Sequence, residues 1–444
     1  MNWHQQSGRR GQLAALGLTL ALHGVTAPAA RAQRAPTPRA PAPAAERVRP
    51  GITVLIEERI GLIRARRVAL ITNQTGINER GESDIDLLRD DPRARAAGVQ
   101  LVRLFAPEHG IRGTEDRQFL QAEVDAKSGL TVHALYQSQT IPPPDSLLRD
   151  VQTLLVDLQD IGTRTWTYTG LMLYALRAGG RLGIPVLVLD RPNPITGSHV
   201  EGPMLDSLIA NPNDPAPGAP GKAYALYPAP LRHGMTMGEL AQLFNAKLGL
   251  GADLTVVPVR GWRRSQWFDE TRLPWVRPSP NMPSLTSALL YPGLVAFEAT
   301  NLSVGRGTGE AFQRLGAPWL RAKEVVDLLA DRAMSGVKFE AERFTPASPS
   351  DGKYAGRSVA GVRIVVTDRE RVNAARVGAA LLWAIARTSP DSLRIRAAGF
   401  DDRFGAARLR EALVRGDDPD AVLDAELPAV VAFREAVRPY LIYR

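Results

Sequence analysis

Short apolar runs alternate with amphipathic, helix-forming segments along the first half of the chain. The runs are rich in β-branched residues and do not alternate with polar residues, which is typical of strands buried on both faces of a parallel sheet. The predicted strands cover residues 68–71, 99–105, 131–136, 153–158, 185–189 and 254–259. Helices are predicted at 83–90, 166–178 and 236–248, the second of them ending at Gly179-Gly180. This repeated strand–loop–helix order predicts a Rossmann-like parallel sheet of the α/β class.

The pattern changes beyond about residue 284. Helices are predicted near 322–333, 370–387 and 406–415, and strands at 337–344 and 361–367. We therefore expect a Rossmann-like catalytic domain over 51–283, followed by a smaller α+β C-terminal domain over 284–444 that completes a cleft. Residues 210–230, rich in Pro, Gly, Ala and Asn, are expected to form a long surface loop.

The first 50 residues have the composition of a leader and a linker. An arginine pair, an apolar run too short to span a bilayer and the sequence Ala30-Arg31-Ala32 indicate a signal peptide over 1–32. No cysteine follows, which excludes a lipid anchor there, and residues 33–50 resemble a Pro/Ala-rich linker. We expect an exported protein, periplasmic or extracellular, with no membrane anchor after cleavage.

Net charge argues against nucleic acid as a partner. Seven arginines and one glutamate in residues 1–50 account for +6 of the formal charge of +9, so the remainder is nearly neutral. The chain has no cysteine, which excludes disulfides and thiolate catalysis. It also lacks a G-x-G-x-x-G between a strand and a helix, a P-loop, G-x-S-x-G and H-E-x-x-H. Histidines beyond residue 50 are widely scattered, so no cofactor and no metal are expected.

Polar residues cluster where the predicted strands end. In open α/β sheets ligands bind outside the carboxyl ends of the strands, so these clusters are the candidate site. Glu108 and His109 follow the second strand directly, after Pro107. The alternative interpretation is a polar loop in which Glu108 caps a helix. The other clusters contain Asn73 and Gln74, then Asp160 and Arg164, then Asp190, Arg191 and Asn193.

Carboxylates and arginines dominate these clusters. Paired carboxylates without a metal motif suit glycoside hydrolysis, in which one acts as acid and the other as base or nucleophile. Arginines beside them suit an anionic substrate, although each arginine alone could equally form a structural ion pair. The carboxylate candidates are Glu108, Glu115, Asp116, Asp160, Asp190, Glu201 and Glu298, and the arginines are Arg112, Arg164, Arg191, Arg277 and Arg306. The candidates for stacking on sugar rings are Trp166, Tyr168, Trp262, Trp267 and Trp275, although each of them alone is more often a core residue.

Seven motifs occur in order along the chain: LITNQTG (70–76), FAPEHGIRG (105–113), DLQDIGTR (157–164), LDRPNPITG with VEGP (189–203), HGMTMGEL (233–240), RPSPNMP (277–283) and TNLSVGRGT (300–308). Together they resemble the NamZ family of exo-β-N-acetylmuramidases, over essentially all of 51–444. The resemblance implies a Rossmann-like domain, a smaller C-terminal domain and a site in the cleft between them. It also implies release of N-acetylmuramic acid from the non-reducing end of peptidoglycan fragments, in cell-wall turnover and recycling.

The resemblance makes Glu108 the first choice for a catalytic carboxylate, with Glu201 and Glu298 competing as its partner and His109 orienting the site. Substrate-binding candidates are Asn73, Gln74, Arg112, Asp160, Arg164, Asp190, Arg191, Asn193, Asn281, Asn301 and Arg306. Arg191 and Arg306 are the leading candidates for binding the lactyl carboxylate. The alternative function is a non-catalytic muropeptide-binding protein that uses the same cleft. A metal-dependent amidase or peptidase is a more distant alternative.

Overall fold

A seven-stranded sheet forms the centre of the first half of the chain. The computed structural model describes residues 47–113, 121–136, 140–213 and 223–444. In chain order, the elements of this half are α1 (Gly51–Glu58), β1 (Arg67–Thr72), α2 (Asp84–Asp90), α3 (Pro92–Ala96), β2 (Gln100–Ala106), β3 (Glu123–Val124), β4 (Thr131–Ala134), β5 (Thr153–Asp157), α4 (Thr167–Leu182), β6 (Val186–Leu189), β7 (Glu201–Met204), β8 (Pro230–Arg232), α5 (Met237–Lys247) and β9 (Leu254–Val257).

The strand order explains where a site should form. The sheet runs β3-β4-β2-β1-β5-β6-β9, and every neighbouring pair is parallel except β3 with β4. Without β3, the six parallel strands lie in the order 3-2-1-4-5-6 along the chain, which is the doubly wound Rossmann arrangement. The order reverses between β1 and β5, so the loops after these strands flank the crevice in which such sheets bind ligands. The predicted fold class is confirmed.

Side chains of β1 show why these strands have no polar face. Val68 and Leu70 belong to a core cluster with α1 and α2, whereas Ala69 and Ile71 face the opposite core with α4 and α5. All four are fully buried. A strand covered by helices on both sides needs apolar residues at every position, which is the pattern that the sequence shows.

The predicted end of the 166–178 helix is wrong, because α4 continues through Gly179-Gly180 to Leu182. It ends instead at Gly183, which adopts the left-handed conformation with φ 66°. A Cβ atom on Gly179 would lie 2.3 Å from Val186 Cγ2, and one on Gly180 would lie 2.2 Å from the Leu250 carbonyl oxygen. These two glycines allow close packing of the helix rather than its termination.

Two predicted helix starts are confirmed by their caps. The Ser83 hydroxyl accepts a hydrogen bond from the Ile85 N–H at 3.2 Å, at the start of α2. Thr236 and Glu239 form a reciprocal capping box at the start of α5, with bonds of 3.3 and 3.0 Å. The β7–β8 pair, in contrast, was not predicted, and residues 214–222 of the expected long loop lie outside the described residues.

The second half of the chain is mostly helical around a small antiparallel sheet. Its elements are α6 (Leu285–Leu294), β10 (Arg314–Ala317), α7 (Ala322–Ala330), β11 (Val337–Phe344), β12 (Val359–Val366), α8 (Ala374–Thr388), α9 (Ala397–Phe404), α10 (Ala407–Arg415), α11 (Pro419–Asp424) and α12 (Leu427–Val437). The three strands lie in the order β10-β12-β11. The predicted strand at 337–344 is confirmed, whereas α6, α9, α11 and α12 were not predicted. None of the described helices is both long and apolar enough to span a bilayer.

Candidate active site

A cavity of about 490 Å³ lies where β2, β4 and β5 end. That volume is within the range of roughly 300–1,000 Å³ usual for small-molecule sites. Earlier parts of the chain contribute Glu108, His109, Tyr136, Thr140, Thr165, Trp166, Thr167, Tyr168, Ala223 and Tyr224. Later parts contribute Ser279, Asn281, Met282, Tyr291, Val295, Glu298, Arg306, Phe312, Arg396 and Arg403. The sheet edge therefore forms one wall, and helices of the second half help to close the other.

Glu108 is placed in the cavity by a tight turn after β2. The Gly110 N–H donates to the Pro107 carbonyl at 3.1 Å, and both His109 and Gly110 are left-handed, with φ 76° and 73°. Left-handed backbone is uncommon for a non-glycine residue, and such strain is often kept at functional sites. Glu108 Oε2 accepts a hydrogen bond from the Thr167 hydroxyl at 3.2 Å. A helix-capping role would require Glu108 to accept from a backbone N–H. Within the described ranges its carboxylate accepts from the Thr167 side chain instead.

Glu298 is the second carboxylate of the cavity, and arginines hold it ionised. It lies in the 3₁₀ turn Val295–Ala299, where Arg306 donates to its Oε1 from Nε at 2.9 Å and from Nη2 at 2.5 Å. Arg403 Nε lies 3.7 Å from the other oxygen, Oε2. Burial alone would raise the pKa of Glu298, but the two guanidinium groups outweigh it and lower the pKa below its usual range.

Aromatic rings form a continuous edge-to-face wall along the cavity. Ring centroids are 5.3 Å apart for Trp166 and Tyr168, 5.6 Å for Trp166 and Tyr291, and 4.6 Å for Tyr291 and Phe312. Burial raises the pKa of Tyr168 well above its usual range, and the nearby Glu108 carboxylate adds to this effect. Burial raises the pKa of Tyr291 as well, with Glu298 as the next contribution. Both phenols therefore stay neutral, and the wall suits the apolar faces of a sugar.

Two buried polar atoms of lining residues have no hydrogen bond within the described part of the chain. They are Thr165 Oγ1 and Trp166 Nε1, and their residues are 3% and 7% exposed. Because buried polar groups are ordinarily paired, these two atoms are unsatisfied polar groups in the residues that line the cavity.

The structure brings together five of the predicted site residues, and it places Glu201 elsewhere. The five that line the cavity are Glu108, His109, Asn281, Glu298 and Arg306. Glu201 accepts from Arg232 Nη1 at 2.7 Å and from the Ala374 N–H at 3.2 Å. It therefore connects β7 to β8 and to the first residue of α8, and of the two candidate partners only Glu298 shares the cavity with Glu108.

Asp190 and Arg191 follow β6, and their side chains bond to α5 and to β5. Asp190 accepts from the Thr236 hydroxyl at 2.7 Å and from the Gly238 N–H at 2.8 Å, so it caps α5. Arg191 forms a fully buried ion pair with Asp157, at the end of β5, with 3.1 Å between Nη2 and Oδ2. Neither residue lines the cavity, so the structure does not place Arg191 where it would meet a lactyl carboxylate.

Four more predicted residues support the loops at the sheet edge. Asn73 Nδ2 donates to the Tyr168 hydroxyl at 2.9 Å, which fixes that ring in the cavity wall. Gln74 donates to the Arg277 carbonyl at 2.6 Å, and Asn193 donates to the Met235 carbonyl at 2.9 Å. Asp160 Oδ2 accepts from the Gly162 N–H at 2.6 Å.

The remaining predicted residues join distant segments. Arg112 is exposed and pairs with Asp125. Asn301 holds the segment after α8, donating to the Ser392 carbonyl and accepting from the Arg394 N–H, each at 2.9 Å. Arg164 is buried and donates to three backbone carbonyls near α9. Glu115 and Asp116 lie outside the described residues.

Sequence reasoning missed the arginines that α9 and its flank bring to the cavity. Arg396 precedes α9 and Arg403 lies in its last turn. Candidate residues were expected mainly at the ends of strands, and α9 was not predicted, so no feature of the sequence placed its arginines in the site. In the described residues, no group of three or more His, Asp or Glu side chains is arranged to hold a metal ion.

Comparison with known proteins places most of the described chain in one family. Residues 68–286 match the family model "Exo-beta-N-acetylmuramidase NamZ, N-terminal", and residues 289–443 match its C-terminal counterpart. The "Peptidoglycan beta-N-acetylmuramidase NamZ" of Bacillus subtilis (strain 168) is 37% identical over 399 residues, which are 89% of this chain and 92% of that protein.

Two solved structures have the same architecture. Both are DUF1343 family proteins from Bacteroides fragilis NCTC 9343. One is 29% identical with a TM-score of 0.79, over 90% of this chain and 99% of that chain. The other is 26% identical with a TM-score of 0.70, over 89% of this chain and 99% of that chain.

Proposed function

The chain belongs to the NamZ family of exo-β-N-acetylmuramidases, which are glycosidases, and we propose that its cavity releases N-acetylmuramic acid from the non-reducing end of peptidoglycan fragments. The observation that carries this proposal is the pair of carboxylates in one cavity. Glu108 and Glu298 are the acidic residues among the described side chains that line it. Two carboxylates on either side of the scissile bond are the usual catalytic residues of a glycosidase.

The surroundings of the two carboxylates divide the roles between them. Glu298 is held ionised by Arg306 and Arg403, so it is unsuited to donate a proton. Its negative charge instead stabilises the positive charge that develops at the anomeric carbon as the glycosidic C–O bond breaks. Water then supplies the oxygen that completes the released N-acetylmuramic acid, and the proton lost from that water restores the acid. A glycosidic oxygen is a poor leaving group and needs a proton at that moment, and we assign this task to Glu108. His109, next to it in the strained turn, orients the site.

The proposal is tested by Glu108→Gln, which keeps the size of the side chain but cannot supply a proton. We expect turnover of an aryl β-N-acetylmuramide to fall at least about a hundredfold, the usual scale of acid–base catalysis. The affinity for N-acetylmuramic acid, measured by calorimetry, should stay within a few-fold. Glu324→Gln, at an exposed position on α7, is the matched control and should behave like the wild type.

This experiment also separates the enzyme from a muropeptide-binding protein. A wild-type protein that binds N-acetylmuramic acid but releases none from peptidoglycan fragments would establish the binding function instead. Unchanged turnover in a well-folded Glu108→Gln variant would remove Glu108 from the mechanism.

We further propose that residues 1–32 direct export and are removed. The support is the order of charged, apolar and small residues described above, and these residues lie outside the described ranges. N-terminal sequencing of protein recovered from outside the cytoplasm should start near Gln33. Recovery of an intact Met1 on the exported protein would refute the proposal.

A further inference from the structure

We propose that Arg403 pairs with the lactyl carboxylate of N-acetylmuramic acid, and that Tyr224 and the buried Arg164 hold its guanidinium in position. The inference deepens the proposed function and rests on it. The lactyl ether is the group that distinguishes N-acetylmuramic acid from N-acetylglucosamine. A residue that reads it therefore determines the specificity of the site.

The cavity has the charge to accept one further anion. Three arginines and two glutamates are the formally charged residues among its described lining side chains, which leaves a net charge of +1 with both glutamates ionised and +2 while Glu108 carries the proton that it donates. In both states the cavity has an excess of positive charge for a lactyl carboxylate. The three guanidinium groups differ in how far their N–H donors are already bonded within the protein.

Arg306, the candidate favoured by the sequence, is already engaged. Its Nε and Nη2 both donate to Glu298 Oε1, and its Nη1 donates to the Ser350 hydroxyl at 3.0 Å. Each of its three nitrogen atoms therefore already donates within the protein. A substrate carboxylate there would share the guanidinium with Glu298, which already neutralises its charge.

Arg396 is a weaker candidate because water competes for it. Its side chain is exposed, and its Nη2 donates to the Glu298 carbonyl oxygen at 3.2 Å. An exposed cation is screened by solvent and gains little from one ion pair.

Arg403 is largely shielded from solvent and has a guanidinium nitrogen that is not bonded within the described ranges. Its side chain is 19% exposed, and its guanidinium carbon lies 4.5 Å from the centroid of the Tyr224 ring, which stacks against it. Nη1 donates to the Gly399 carbonyl at 2.9 Å, and Nε faces Glu298 Oε2. Nη2 makes no hydrogen bond within the described ranges, so its donors remain for a carboxylate.

Arg164 holds the backbone of both stacked residues, Arg403 and Tyr224. Its Nη1 donates to the carbonyls of Tyr224 and Asp402, each at 3.2 Å, and its Nη2 donates to the Arg403 carbonyl at 2.9 Å. The last two carbonyls lie at the end of α9, where helix carbonyls lack intrahelical partners and favour a cation. Burial lowers the pKa of Arg164 to about 9, which still leaves it charged at neutral pH. A single side chain from the β5–α4 loop thus positions the specificity residue and its stacking partner.

The test compares two sugars that differ in the lactyl group. Calorimetry on the full chain gives the affinities for N-acetylmuramic acid and N-acetylglucosamine, for the wild type and for Arg403→Gln. We expect the substitution to weaken N-acetylmuramic acid binding at least about 30-fold, because a charged contact is lost. Binding of N-acetylglucosamine should change less than about threefold. Arg403→Lys, which keeps the charge but loses the fork and the stacking, should be intermediate.

Two further variants complete the design. Arg415→Gln removes the same charge from an exposed surface pair with Asp417 and should bind both sugars like the wild type. Arg164→Met should reduce the preference for N-acetylmuramic acid while Arg403 is still present, as expected of a positioning residue. Circular dichroism establishes that each variant is folded.

Two results would overturn the inference. An equal loss for both sugars in Arg403→Gln would mean that Arg403 acts only through Glu298. An undiminished preference for N-acetylmuramic acid would mean that another group reads the carboxylate. Failure of the proposed function is a different result, in which the wild type releases no N-acetylmuramic acid from peptidoglycan fragments whatever its binding preference.

Discussion

At the scale of single residues, Glu298 shows how neighbours decide what a carboxylate can do. Burial favours its neutral form, but Arg306 and Arg403 favour the ionised form and lower its pKa. A group with a lowered folded pKa contributes stability above its unfolded pKa, and that stability is lost as the pH falls through the folded pKa. The same titration should limit catalysis on the acid side.

Arg306→Gln should move this titration. Without the closest guanidinium, the pKa of Glu298 rises, so the acidic limb of kcat/KM against pH is expected at higher pH than in the wild type. The free energy of unfolding at pH 7 should fall by on the order of 3 kcal/mol, because a sheltered charge loses its main partner. pH–rate profiles and urea titrations measure the two effects.

The control for this prediction is Lys323→Gln, which breaks an exposed ion pair with Asp327 on α7. It should cost less than about 1 kcal/mol and leave the pH profile unchanged. An unaltered acidic limb in Arg306→Gln would show that Glu298 does not set it.

Residue types at strand ends could be predicted from the sequence, but their partners could not. Arg191 and Glu108 both follow strands, yet Arg191 turns toward Asp157 and Glu108 faces the cavity. Asp157 lies 34 positions away in the chain, and only the packing of β5 beside β6 brings the two together. The local sequence pattern does not indicate the Arg191–Asp157 pair. It therefore could not distinguish residues that support the fold from residues that line the cavity.

At the scale of elements, the glycines of α4 show the limit of local rules. A glycine pair commonly ends a helix, because glycine adopts the left-handed conformation at low cost. In α4 the pair instead lies where the helix approaches Val186 and the Leu250 carbonyl. The central parallel strands and the caps of α2 and α5 depend on neighbouring residues and were predicted, whereas this contact depends on segments later in the chain.

Gly179→Ala should therefore destabilise the protein despite the better helix propensity of alanine. The new Cβ atom would lie 2.3 Å from Val186 Cγ2 and 2.8 Å from the Ile184 carbonyl oxygen. Overpacking of this kind costs roughly 1–3 kcal/mol, whereas in an exposed helix the same change would gain about 1 kcal/mol. Urea denaturation measures the difference.

Gly61→Ala is the matched control, since a Cβ atom there meets nothing within 4 Å. It should leave the free energy of unfolding within about 0.5 kcal/mol of the wild type. A stabilised Gly179→Ala protein would show that the helix and strand can move apart at little cost.

The junction of β6, α5 and the C-terminus has its own pH dependence. Burial raises the pKa of Asp190 to about 6, even though its carboxylate accepts from the Tyr443 and Thr236 hydroxyls at 2.6 and 2.7 Å. The native state therefore binds this proton more tightly than the unfolded chain does. Stability from this group is highest below about pH 4 and falls by up to about 3 kcal/mol as the pH rises toward 6.

Asp190→Asn should abolish that slope, because asparagine does not titrate. Free energies of unfolding from pH 4 to pH 7 measure it as the difference between wild type and variant. Tyr443→Phe removes a hydrogen-bond donor that lowers the pKa of Asp190. In this variant the free energy of unfolding should therefore continue to fall up to a higher pH than in the wild type. Identical pH dependence of wild type and Asp190→Asn would contradict the assignment.

At the scale of the whole molecule, the site exists only where the two halves of the chain meet. The sheet edge supplies Glu108, the 3₁₀ turn after α6 supplies Glu298, and α9 supplies Arg403. Local periodicity was enough to predict the parallel sheet and the smaller C-terminal region of helices and strands. It could not say which helices of the second half face the sheet edge, because that depends on long-range packing.

The core also runs through both halves. One cluster of buried side chains includes Ala69 in β1, Leu171 in α4, Leu290 in α6, Leu381 in α8 and Phe433 in α12. Arg164 adds buried hydrogen bonds from the β5–α4 loop to α9. The boundary predicted near residue 284 therefore crosses a shared core instead of an exposed linker.

Because the core is shared, we expect residues 47–444 to unfold in a single cooperative transition. Differential scanning calorimetry should give one peak whose calorimetric and van't Hoff enthalpies agree. A fragment of residues 284–444 would lose the contact of Tyr291 with Trp166 and the hydrogen bond of the Ala374 N–H to Glu201, and it should show no cooperative transition on its own. Two separate peaks for the long chain, with the fragment reproducing one of them, would mean that the halves fold independently and that the cavity forms only by docking.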